Sequence, residues 1–133
     1  MSEENINPQA IVVDWCNRIS RSITRRDLKA HMQNVSEKVR IYGVPGYKEL
    51  TFFDWEKRRS HEFRHNLIEA LSYKLNRIKS STPARIQFHA EETMQGVSGQ
   101  VIILDKEITL ELHPHLKLWQ VVEENIKNWG VQE

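Results

Sequence analysis

The sequence predicts an α+β fold in which helices come first and an antiparallel meander follows. Apolar residues recur at helical spacing through the first half of the chain, and from Arg77 onward they recur at every second position, with Gly and Pro at the breaks. The length, 133 residues, suits one hydrophobic core and not two. Residues 1–7 read as a flexible N-terminal tail and residues 8–133 as a single domain.

Asn7 and Pro8 offer an N-cap and a proline at the first helical position. Ile11, Val12, Trp15, Ile19 and Ile23 then form one apolar stripe that ends near Arg26. Asp27 can cap a short second helix carrying Leu28, His31 and Met32. Val39 and Ile41 mark a brief strand before the turn Gly43-Val44-Pro45-Gly46. Thr51 caps a third helix expected from Phe52 to about Tyr73, with Phe52, Phe63, Leu67, Ala70 and Leu71 on its stripe. Strands are expected over 77–81, 84–95, 100–113 and 117–128.

Lys+Arg 19 against Asp+Glu 18 leaves a formal charge of +1, mixed along the chain, so no footprint for nucleic acid or an anionic membrane emerges. Cys16 is alone and makes no internal disulfide, and the polar, acidic N-terminus has no signal-peptide pattern. No apolar run approaches the roughly 20 residues that cross a bilayer. A cytoplasmic, soluble protein without a cofactor is expected.

The most specific-looking string is HEFRH, residues 61–65, which matches the zinc-protease pattern H-E-x-x-H. At about 100° per residue, His61 and His65 each fall roughly 160° from Phe63, taken as the core direction, so both point outward. The extended motif would need a glycine and a third histidine where Ile68 and Leu71 stand. An ordinary surface pair is the better reading, and no metal site is assigned. His113 and His115 flank Pro114 in an expected hairpin turn and make a poor metal site.

Within the strands, Ile86, Phe88, Ala90 and Met94 share one face, and Leu104, Ile108, Leu110 and Leu112 share another. Folding about Gly99 pairs Met94 with Leu104, Ala90 with Ile108, Phe88 with Leu110 and Ile86 with Leu112. It also sets Glu92 opposite Lys106 on that apolar face. The turn at Pro114 leaves the last register open by one residue, so either Glu123 or Glu124 comes to lie across from Lys106. Buried charges are costly unless paired, so the row is either a structural ion pair or a site. As a site, Glu92 or Glu123 is the candidate general base and Lys106 stabilises a developing oxyanion. Trp15, Tyr42, Trp55, Phe63, Phe88 and Leu110 are the candidate wall of a pocket for a small, mainly apolar organic ligand, core filling being the plain alternative. His31 is either a proton shuttle or a hydrogen-bonded structural residue.

The segments VVDWCNRISRSITRRDLKAHM, VRIYGVPGYKELTFFDWEKRR and LKLWQVVEENIKNW, in this order, resemble the nuclear transport factor 2-like superfamily. That superfamily includes SnoaL-like polyketide cyclases, steroid delta-isomerases and scytalone dehydratase. The resemblance implies a cystatin-like cone in which three N-terminal helices pack on a curved antiparallel sheet wrapped around the third helix. It also implies a pocket at the wide end and a homodimer through the sheet's outer face, here carrying His89, Glu91, Thr109 and Glu111. The proton-abstracting aspartate of steroid isomerases precedes a proline, whereas Tyr42, Gly43 and Val44 precede Pro45 here. Their second aspartate would fall near Ile108, where no acid stands. The expectation is therefore a small-molecule binder of open activity, with an isomerase, dehydratase or cyclase and a non-catalytic dimeric interaction module as alternatives.

Overall fold

The computed structural model describes residues 6–132. Helix α1 spans Pro8–Arg25, and Asn7 Oδ1 accepts from the Ala10 N–H at 3.1 Å. Pro8 takes the first helical position, where a missing N–H leaves no bond unmade. Ile6 and Ile11, positions that a hydrophobic staple brings together, both pack against the core. The expected tail over residues 1–7 is thus too long at its end, since Ile6 and Asn7 belong to the fold; residues 1–5 lie outside the described residues. Val12, Trp15, Ile19 and Ile23 form the buried stripe. Arg26, at φ 51°, closes the helix while the Asp27 N–H donates to the Ser22 carbonyl. The Asp27 side chain then caps α2, Leu28–Met32.

Helix α3 spans Phe52–Arg64 and opens with a reciprocal capping box between Thr51 and Asp54. It stops well short of the expected Tyr73. Asn66 adopts φ 52°, the Leu67 N–H donates to the Glu62 carbonyl at 2.9 Å, and the Asn66 N–H donates to the Phe63 carbonyl at 3.4 Å. This is a Schellman closure, which needs a left-handed residue and here uses Asn instead of Gly. Strand β2, Ile68–Thr82, follows directly. The expected strand over 77–81 is only its far part.

The other strands are β1 (Val35–Tyr42), β3 (Arg85–Gly96), β4 (Val101–Leu112) and β5 (Trp119–Gln132). They form one curved, unclosed sheet in the order β1-β5-β4-β3-β2. β2 to β5 make the expected antiparallel meander, and β1 adds to β5 in parallel. Helix α1 supplies most of the helix-to-sheet packing, chiefly against β2, while α3 rests on β1 and α2. The sheet therefore closes over α1 and not mainly over the third helix.

The β3–β4 turn corrects the expected register. The Gly96 N–H donates to the Gln100 carbonyl at 2.8 Å and the Gly99 N–H to the Gly96 carbonyl at 3.1 Å, with Gly99 at φ 93°. This three-residue loop, Val97-Ser98-Gly99, centres on Ser98 and slips the pairing by two. Ile86 faces Leu110, Phe88 faces Ile108, Ala90 faces Lys106 and Glu92 faces Leu104. A two-residue slip keeps every side chain on its face, so Glu92 and Lys106 still share the concave side, as diagonal neighbours.

Candidate functional site

The site begins with a bulge. Thr109 pairs with Glu123 and Leu110 with Val121, so Val122 has no partner on β4. The extra residue reverses the inward phase of β5, and Glu124 instead of Glu123 joins Lys106 on the concave face. Glu123 turns away and accepts from Asn125 Nδ2 at 2.8 Å. Lys106 Nζ donates to Glu92 Oε1 at 2.9 Å and to Glu124 Oε1 at 2.9 Å. The three side chains are almost fully buried, and the Oε2 atoms of both glutamates have no hydrogen-bond partner among the described residues.

The acids are not equivalent. Burial opposes ionisation of Glu92, but the Lys106 ammonium and then the Arg59 guanidinium outweigh it and hold this carboxyl below the usual range. Burial is also the largest influence on Glu124; Lys106 only partly offsets it, Glu92 adds repulsion, and the carboxyl is raised. Burial disfavours the Lys106 cation, yet Glu124 and Glu92 together hold it in the charged form. The row is a carboxylate and an ammonium beside a carboxyl of raised proton affinity. Burial pushes the Cys16 thiol up to about 12 and the Tyr73 phenol well above its ordinary value, the two glutamates adding to both.

Arg59 explains part of this asymmetry. It sits on the inward stripe of α3 with Trp55, is buried, and pairs with Glu62 at 2.6 Å. Its Nε donates to His31 Nε2 at 3.3 Å, and the Trp55 indole N–H donates to the same nitrogen at 2.9 Å. The Ser22 hydroxyl donates to the Ile19 carbonyl at 2.7 Å, so its oxygen accepts from His31 Nδ1–H at 2.8 Å. Both ring nitrogens are therefore satisfied in the neutral imidazole. Burial, then the Arg59 charge, pulls His31 down to about 2. His31 is a structural tie between α1, α2 and α3.

A cavity of about 80 Å³ adjoins the row. Ile41, Leu50, Met94, Leu104 and Ile126 give it an apolar wall, and Trp55, Arg58 and Arg59 line it as well. Of the six residues expected to form the pocket wall, only Trp55 does so. Trp15 packs against Tyr73 at 5.7 Å and Phe88 at 6.4 Å between ring centroids, and its indole donates to the Asn34 carbonyl at 3.1 Å. Trp15, Phe88 and Leu110 fill the core. Phe63 lies edge-on to His31, and Tyr42 is half-buried on β1. A larger groove of about 470 Å³ lies between Met32, Phe52 and Leu116, and among the described residues it is lined by no orphaned buried polar side chain. Chemistry therefore points to the smaller cavity.

His61 and His65 are exposed, as the helical phase predicts, with ring centroids 4.5 Å apart. His65 is the C-cap of α3, and Glu62, the motif's acid, is tied to Arg59. Among the described residues no group of three or more His, Cys, Asp or Glu is placed to hold a metal ion, and no helix is long and apolar enough to cross a membrane.

No family model matches the sequence, and neither does any curated protein. Solved structures do match in fold. A nuclear transport factor 2-like protein of unknown function from Shewanella oneidensis superimposes with a TM-score of 0.70 at 12% identity, over 92% of this chain and 100% of the other. The chain has the nuclear transport factor 2-like fold. A ketosteroid isomerase-like protein from Erwinia carotovora gives 0.64 at 12% identity over 88% and 92% of the two chains. A cystatin-like fold protein from Nostoc punctiforme gives 0.64 at 6% identity over 89% and 88%. At these identities the likeness concerns the fold alone, and the chemistry of this chain rests on its own residues. Sequence reasoning leaves Glu124 as the alternative to Glu123, and it does not single out Arg59 or Tyr73 for the site. The signal for Arg59 was its place at helical spacing between Trp55 and Phe63; for Tyr73 it was hidden by the over-long helix.

Proposed function

We propose that the protein binds a small, mainly apolar organic molecule at the cone cavity, with its polar end toward the Glu92–Lys106–Glu124 row. The observation that carries this reading is Glu124 Oε2, a buried carboxylate oxygen without a hydrogen-bond partner among the described residues, in a row that borders an apolar cavity; Glu92 has the Tyr73 hydroxyl at hand. Leaving such an atom unpaired is costly, so a hydrogen-bond donor brought in by a ligand would be rewarded. The cavity is far smaller than the roughly 300–1,000 Å³ of drug-sized sites, which restricts the ligand to a fragment unless the mouth beside Trp55 and Arg58 widens. A thermal-shift screen of small alcohols, amides and ketones tests this. The expected result is stabilisation by some fragments that is lost in Leu104→Trp, which fills the cavity. Equal responses in both proteins contradict the reading.

A second reading is favoured by the unequal acids. A carboxyl of raised proton affinity next to a fixed ammonium is suited to moving a proton on a carbon acid, as isomerisation, dehydration or cyclisation requires. Glu124 then takes the role first assigned to Glu123, and Lys106 steadies the developing oxyanion. Incubating the protein with small ketones in D₂O should exchange their α-protons, and Glu124→Gln should abolish the exchange. Undiminished exchange in that variant overturns the assignment. We assign the outer sheet face to a homodimer and the protein to the cytoplasm, where a lone buried cysteine stays reduced.

A further inference from the structure

Helix α1 carries a second chemical feature, on the side away from its core stripe. Arg18, Arg21 and Arg25 follow one another at three- and four-residue spacing. Arg18 is held by Asp14 at 3.0 Å, by Asn34 Oδ1 and by the Trp119 carbonyl at 3.5 Å. Arg21 and Arg25 are exposed and have no ion-pair or hydrogen-bond partner among the described residues. All three border a cleft of about 200 Å³ between α1 and α2, together with Asp27, Gln33 and Asn34. Arg18 is neutralised by Asp14, so Arg21 and Arg25 meet a single further carboxylate there, Asp27, which accepts the Ala30 N–H at 3.0 Å.

Like charges four apart on a helix repel, so the fold itself gains nothing from Arg21 and Arg25 in this place. An oxyanion would relieve the repulsion, and the planar fork of a guanidinium matches phosphate oxygens in pairs. We propose that this cleft is a second binding site, independent of the cone cavity, for the phosphate group of a small soluble molecule. Arg21 and Arg25 close on the oxyanion, and Arg18 is the fixed wall. Asn34 and Gln33 bound the site and limit its size to a phosphate or diphosphate group.

Isothermal titration with sodium pyrophosphate, at ionic strength held constant with sodium chloride, tests the site. The expected result is saturable binding of one pyrophosphate per chain. Arg21→Ala and Arg25→Ala should each weaken it about tenfold, the loss of one charge-assisted contact. Arg77→Ala removes the same charge from an exposed position on β2 and should leave binding unchanged. No saturable binding, or an equal loss in Arg77→Ala, overturns the proposal. Sedimentation with phosphatidic acid vesicles without binding of the soluble anion would assign the cleft to a lipid headgroup and also overturn it.

Discussion

Lys106 is the residue on which the inside of the cone depends. It neutralises two acids from two neighbouring strands, and an uncompensated buried charge is among the few single-site changes that cost several kcal/mol. Lys106→Met should destabilise the protein by about 3–5 kcal/mol at neutral pH in chemical denaturation, with the loss shrinking as Glu92 becomes protonated. Glu124→Gln behaves differently. The folded carboxyl is raised above the ordinary 4.5, so the stability it contributes is present below that pH and lost as pH rises through its folded value. Glutamine copies the protonated form, and the variant should gain on the wild type above pH 4.5, by up to about 1.4 kcal/mol per unit, in melting curves taken across pH 4–8. His31 has the opposite sense. Its folded value of about 2 against 6.5 means that only the unfolded chain takes up a proton below pH 6.5, and stability falls with pH. His31→Gln should flatten this acid limb, and an unchanged slope would show that His31 is not buried as the neutral imidazole.

At the scale of elements, helix starts were legible because caps are local: Asn7, Asp27 and Thr51 each hydrogen-bond the backbone within three residues. The end of α3 was not, because Leu67, Ala70 and Leu71 suit a helical stripe and a strand start alike, and only Asn66 separates the two. Asn66→Ala should cost about 1 kcal/mol and Asn66→Gly should cost nothing, by denaturant titration. The choice between Glu123 and Glu124 was closed to sequence reasoning for a related reason. A bulge at Val122 has no composition of its own, since it arises from how β5 meets β4 under sheet curvature. Alternation did place Glu92 and Lys106 on one face, which survives a two-residue slip.

For the whole molecule, the order of helices and strands and the α+β class were readable from periodicity, whereas the pocket was not. Trp15, Phe88 and Leu110 are apolar enough for either a core or a cavity wall, and volume left over after packing is a property of the assembled sheet and helices. The outer sheet face is largely self-satisfied, with Glu111 held by Lys38 and Arg85 and His89 by Asp105. The dimer proposed for this polar face would rest on electrostatic contacts, so sedimentation velocity at 0.05 and 0.5 M NaCl should show dissociation at the higher concentration. The cone holds two unequal carboxyls on one ammonium beside a small cavity. Carbon-13 NMR of the glutamate side-chain carboxyls against pH reads this directly: Glu124 should titrate above the ordinary carboxylate range and Glu92 below it, and coincident ordinary titrations of both would contradict the account.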